Sequence, residues 1–132
     1  MLPFVLATVL AAAPVECAER LDARRILARS KIASVGRVDG DEVVVAQLRE
    51  GSPCFGSVTN GEFYVIRLRK GHPSVLADVI AVSVTSVDAN PLPVLVFSSH
   101  ISSTETNEMS FSWQGRSYRE VSRRFLRNVL AY

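Results

Sequence analysis

The stretch Met109-Ser110-Phe111-Ser112-Trp113-Gln114-Gly115-Arg116-Ser117-Tyr118-Arg119-Glu120-Val121 decides how this chain is read. Met109, Phe111 and Trp113 alternate with serines, which is the period of a strand with one wet face. Gln114-Gly115 supplies a turn, and Tyr118 to Val121 returns, so the segment predicts an antiparallel hairpin. The same signature recurs upstream. Ser34 to Val38 and Glu42 to Leu48 flank Asp39-Gly40-Asp41, and Asp-Gly readily takes the positive-φ geometry of tight hairpins. Asn60-Gly61 leads into Phe63 to Arg69, where Tyr64, Ile66 and Leu68 share one face and Arg67 and Arg69 the other. Ile80, Val82 and Val84 alternate with small or polar residues, predicting one half-buried strand. Val94 to Phe97 is a short continuous apolar run suited to a central strand.

Between these segments lie breakers: Gly51-Ser52-Pro53, Gly71-His72-Pro73 and Asn90-Pro91-Leu92-Pro93. The polar, Ser/Thr-rich stretch from Ser98 to Asn107 reads as a loop. Glu19 to Arg29 lacks Gly and Pro and is rich in Arg, Leu and Ala, predicting a short helix with Asp22 placed to cap or pair. At the other end, Phe125, Leu126, Val129 and Leu130 fall at helical spacing with arginines opposite, predicting a second short helix. The expected fold is mainly β (α+β): an antiparallel meander of about six or seven strands with a short helix near each end.

The N-terminus reads as an address. Leu2 to Ala13 is twelve residues with no charge and only Thr8 polar, a length that suits a signal-peptide core and is too short to span a bilayer. Val15-Glu16-Cys17 then offers cleavage before Ala18, although no Lys or Arg precedes the apolar core. The expected organisation is a signal peptide over 1–17 and one compact β-rich domain over 18–132, with no transmembrane span in the mature chain. Localisation is secreted or periplasmic. Removing Cys17 with the leader would leave Cys54 alone; a cut before Cys17 would permit a Cys17–Cys54 bridge.

Composition narrows the function classes. The chain has 132 residues, 48% hydrophobic and 21% charged, enough to fold around a core without metal or disulfide. Net charge is +2, too small to imply nucleic acid. The basic residues gather near the ends: Arg20, Arg24, Arg25, Arg29 and Lys31, then Arg116, Arg119, Arg123, Arg124 and Arg127. They read as solvated faces or as a contact with anionic lipid or polysaccharide. The two histidines, His72 and His100, sit in a turn and at a strand end, and no nucleophile elbow surrounds any serine. No paired His/Cys spacing suits zinc, and no Gly-rich loop suits phosphate. No catalytic, cofactor-binding or metal-binding residue is therefore assigned.

Three local patterns carry a resemblance. They are Val38-Asp39-Gly40-Asp41-Glu42-Val43-Val44-Val45, the Gly-Ser-Pro-Cys54 loop before an aromatic strand, and Trp113-Gln114-Gly115-Arg116-Ser117-Tyr118. Together they resemble uncharacterised small secreted or periplasmic bacterial proteins that look like a degenerate FG-GAP (VCBS-like) unit. Calcium-binding members of that group place oxygen ligands at spaced positions. Here Gly36 and Val38 stand at the leading ones, and only Asp39, Asp41 and Glu42 remain, so a plain hairpin turn is expected.

These readings converge on an exported envelope protein acting as a non-catalytic binding or interaction module. Trp113, Arg116, Tyr118 and His100 are the candidate partner-binding residues. The partner would be a protein or polysaccharide of the cell envelope. The alternatives are a small periplasmic hydrolase using Cys54 or His100, or a lysozyme-inhibitor-like protein, whose loop motif Gln114-Gly115-Arg116-Ser117-Tyr118 faintly echoes.

Overall fold

The structure is a computed structural model that describes residues 22–48 and 61–127. Among them run one helix and eight antiparallel strands: α1 (Ala23–Ala28), β1 (Ser30–Val38), β2 (Asp41–Leu48), β3 (Gly61–Arg69), β4 (His72–Ala81), β5 (Ser83–Val87), β6 (Val94–His100), β7 (Glu105–Trp113) and β8 (Tyr118–Arg127). The strands form two four-stranded meanders, β1-β2-β3-β4 and β5-β6-β7-β8. The chain leaves the first sheet at Val82, whose amide bonds to the Ser98 carbonyl at 2.7 Å, and enters the second directly. The segment predicted as one strand through Ile80, Val82 and Val84 is thus two, split at the point where it changes sheet.

The tight turns form as their residues dictate. Asp39 and Gly40 both have positive φ, 50° and 84°, and join β1 to β2 through a two-residue connection. Gly115, at φ 90°, turns β7 into β8, with the Gln114 amide donating to the Ser117 carbonyl at 2.9 Å.

Two apolar clusters hold the layers. Val43, Val45, Phe63, Val65 and Val79 of the first sheet meet Leu95, Phe97, Met109 and Tyr118 of the second, so the sheets pack face to face. Phe97 is fully buried and stacks edge-on against Phe63 across the sheets (5.7 Å) and against Phe111 beside it (5.4 Å). On the far side of the first sheet, Ala23 and Ile26 of α1 cover Val44, Ala46 and Ile66. Asp22 caps this helix by accepting from the Arg25 amide at 2.9 Å, and Arg24 ties it to the Gly71 carbonyl at 2.7 Å. Both faces of β2 are therefore covered, which explains the unbroken apolar run Val43 to Ala46. The second sheet instead turns Ser83, Thr85, Ser98, Ser110 and Ser112 outward, and no described element covers them.

Two expectations are corrected. The second helix is absent over Ser122–Arg127, which continues β8; residues 128–132 lie outside the described part. Phe125 and Leu126 take helical spacing only together with Val129 and Leu130, and over the described residues the segment instead pairs with the edge of β7 as far as Glu105–Arg127. The bulge at Val121, between the pairs Phe111–Glu120 and Ser110–Ser122, also erases the alternation that would have signalled a strand. The loop expected over Ser98–Asn107 is mostly strand: β6 runs to His100, β7 starts at Glu105, and only residues 101–104 turn. The strand count among the described residues is eight because the segment through Ile80, Val82 and Val84 divides between β4 and β5.

Candidate functional site

Trp113, Arg116 and Tyr118 come together at the β7–β8 turn. Trp113 and Tyr118 are register partners with ring centroids 6.0 Å apart, and Arg116 is exposed in the turn between them. Tyr118 is 2% exposed and donates its hydroxyl to the Pro93 carbonyl at 2.8 Å, fastening the hairpin to the segment before β6. Burial pushes its pKa up to about 12. Trp113 is half-buried and packs on the same core. His100 closes β6 opposite Thr106, at the other end of this sheet from Trp113. His72 opens β4, a full strand away from the Val82–Ser98 contact that lies near His100, so the two histidines do not meet. The leader, Cys17 and Cys54 lie outside the described residues.

The basic C-terminal group is partly neutralised in place. Arg123 binds Glu120 through two hydrogen bonds, 2.6 and 2.8 Å, and these hold the Glu120 carboxyl below its usual range. Arg124 reaches Glu108 at 2.6 Å.

The acidic turn does internal work. Arg67 is 6% exposed, and its Nε donates to Asp41 at 2.8 Å while Asp39 lies 3.8 Å away. Arg69 lies 3.8 Å from Asp41. The two aspartates are thereby the counter-charges of a buried guanidinium. On the helix-covered face, Tyr64 has its pKa raised by burial, then by its hydrogen bond to Glu62 and by the charges of Glu62 and Asp78.

Among the described residues a cleft opens that no sequence motif announced. It has a volume of about 400 Å³ and opens between two strands that are edges among the described residues, β1 of the first sheet and β5 of the second. Lys31 to Val35 form one wall and Val84 to Ser86 the other; Val45, Phe63 and Leu95 form the floor. Its position has a local cause. At Gly36 a Cβ would lie 3.0 Å from the Leu92 side chain, so Leu92 seats on the bare backbone and closes the seam there. N-terminal to that point the inward positions of β1 hold Ala33 and Lys31, the register partners of Val45 and Gln47, and both are exposed. Across the gap Ser86, the register partner of Leu95, is also small and exposed. Small or polar residues where a larger apolar one would fill the core are the signal that sequence could have carried.

Lys31 is the one ionisable side chain among the described lining residues, and the remaining polar contributions are Ser34, Gln47, Thr85 and Ser86. The lining offers a surface for binding, with no described histidine, cysteine or carboxylate positioned on it. Among the described residues no helix is long and apolar enough to cross a membrane. Compared with known proteins, the chain matches no family model, no curated protein and no solved structure.

Proposed function

We propose that the chain is an exported, non-catalytic binding module whose ligand site is the cleft between β1 and β5. One observation carries this reading: two strands of different sheets, both edges among the described residues, flank an opening whose floor is made by core side chains of both sheets. A volume of about 400 Å³ falls within the range of small-ligand sites, and the lining is mainly apolar with a few polar groups. Export rests on the apolar stretch Leu2 to Ala13, and an envelope partner, protein or polysaccharide, follows from that address.

The test is a titration with an anilinonaphthalene sulfonate dye followed by NMR, comparing the wild type with Ser86→Leu and Ala33→Leu. Shifts centred on Val45, Phe63, Val84 and Leu95 that vanish in the filled variants support the cleft. Equal dye binding by filled and wild-type proteins refutes it. N-terminal sequencing of the protein produced in an export-competent host tests the address, with Ala18 as the expected first residue.

A further inference from the structure

We infer that the cleft takes an extended peptide segment, added alongside β1 as a further strand of the first sheet, with a carboxylate set near Lys31. This rests on the cleft being the ligand site and names the class of ligand it would hold. The wall formed by β1 is five residues of strand backbone, Lys31 to Val35, paired on one side only among the described residues. At the rise of a β-strand that is roughly 17 Å of edge, along which alternate residues turn their amides and carbonyls away from β2. The opposite wall uses three residues of β5, so β1 offers the longer template.

The chemistry of the walls selects a peptide over a lipid tail. A hydrocarbon chain laid along β1 would cover polar backbone groups without pairing them, whereas a strand satisfies them and turns every second side chain toward Val45, Phe63 and Leu95. Ala33 and Ser86 leave the space those side chains would enter. Charge supplies the third element: with Lys31 as the sole described ionisable group of the lining, an acidic residue or a terminal carboxylate complements the site. An inward lysine on an edge strand also serves in other sheets to repel further strands. That opposing reading forecasts no peptide binding at all.

The probe is a pool of peptides of about eight residues, alternating Thr with Val, Leu or Phe and ending in Asp. Two control pools replace the Asp by Lys or carry N-methyl groups on alternate backbone amides. Binding is read by calorimetry and by hydrogen-exchange protection of the alternate amides within Lys31–Val35 that face away from β2. The Asp pool is expected to bind and to protect those amides, and N-methylation to weaken it about tenfold or more. Lys31→Glu is expected to reverse the preference between the Asp and Lys pools, a result that a misfolded variant would not produce. If the dye enters the cleft but no pool binds, or N-methylated and plain peptides bind alike, strand addition is overturned and the cleft stands. Decanoate outcompeting every peptide overturns it in favour of an amphiphile. Absence of both dye and peptide binding removes the cleft itself.

Discussion

Replacing Asp41 by Asn tests what the acidic turn contributes. Its carboxylate accepts from Arg67 Nε at 2.8 Å, and the Arg67 side chain is 8% exposed against 25% for Asp41. Two unit charges about 4 Å apart at an effective dielectric constant of about 20 attract by roughly 4 kcal/mol. Asp39 remains 3.8 Å from the guanidinium, but its side chain is 83% exposed, so solvent screens most of what it can restore. Breaking a buried pair usually costs about 3–5 kcal/mol because the remaining charge stays desolvated; the partial exposure of Asp41 brings the expectation to about 3 kcal/mol. For a domain of this size that is a fall in Tm of roughly 10 °C. Urea unfolding followed by circular dichroism measures it. The double variant Asp41→Asn, Arg67→Met removes both charges and is expected to recover most of the loss. A single-variant loss below about 0.5 kcal/mol, or a double variant no more stable than the single, refutes the account of the turn as a clamp on Arg67.

Other substitutions probe separate parts of the fold. Phe97→Ala deletes the ring that joins Phe63 to Phe111 and should cost about 3–5 kcal/mol in equilibrium unfolding. Because the folded Tyr118 pKa is raised above its unfolded value near 10, its contribution is complete below pH 10 and is lost as pH rises toward 12; Tyr118→Phe should flatten part of that alkaline fall, at a cost of about 1 kcal/mol at neutral pH from the lost bond to Pro93. Asp22→Ala removes the cap of α1 and should lower stability by about 1 kcal/mol, with hydrogen exchange accelerating in the helix.

The strand pattern is local information, and so most of the fold was legible. Alternation in Met109 to Trp113, the Asp39-Gly40 and Gly115 turns, and the two-faced character of Tyr64 to Arg69 each follow from a period of two and from positive φ. The Asp22 cap was equally readable, because a cap and the amide it serves lie three residues apart. By contrast, only the start of β8, Tyr118 to Val121, was legible, and its continuation over Ser122–Arg127 was hidden. That half follows the bulge at Val121 and is exposed at every position but the half-buried Leu126, so its conformation is set by the edge of β7 and leaves no periodic trace. The change of sheet at Val82 was hidden for the same reason: it depends on which carbonyl the Val82 amide reaches.

The candidate site divides along the same line. Sequence marked Trp113, Arg116 and Tyr118 because they surround a recognisable turn, and packing then enclosed the Tyr118 ring in the core. Ala33 and Ser86 carried no mark, since an alanine and a serine in strands look like ordinary surface positions, and Lys31 stood out only as one of the basic residues near the N-terminus. Only the stacking of two sheets, with Leu92 seated on Gly36 and nothing equivalent described beyond it, makes those residues the walls of a cleft. Sequence by itself determined the apolar leader-like stretch, the β periodicity and the turns, because each depends on neighbours a few residues apart. Tertiary structure decided the edges, the opening and the charge that faces it, because these depend on segments about fifty residues apart meeting in space.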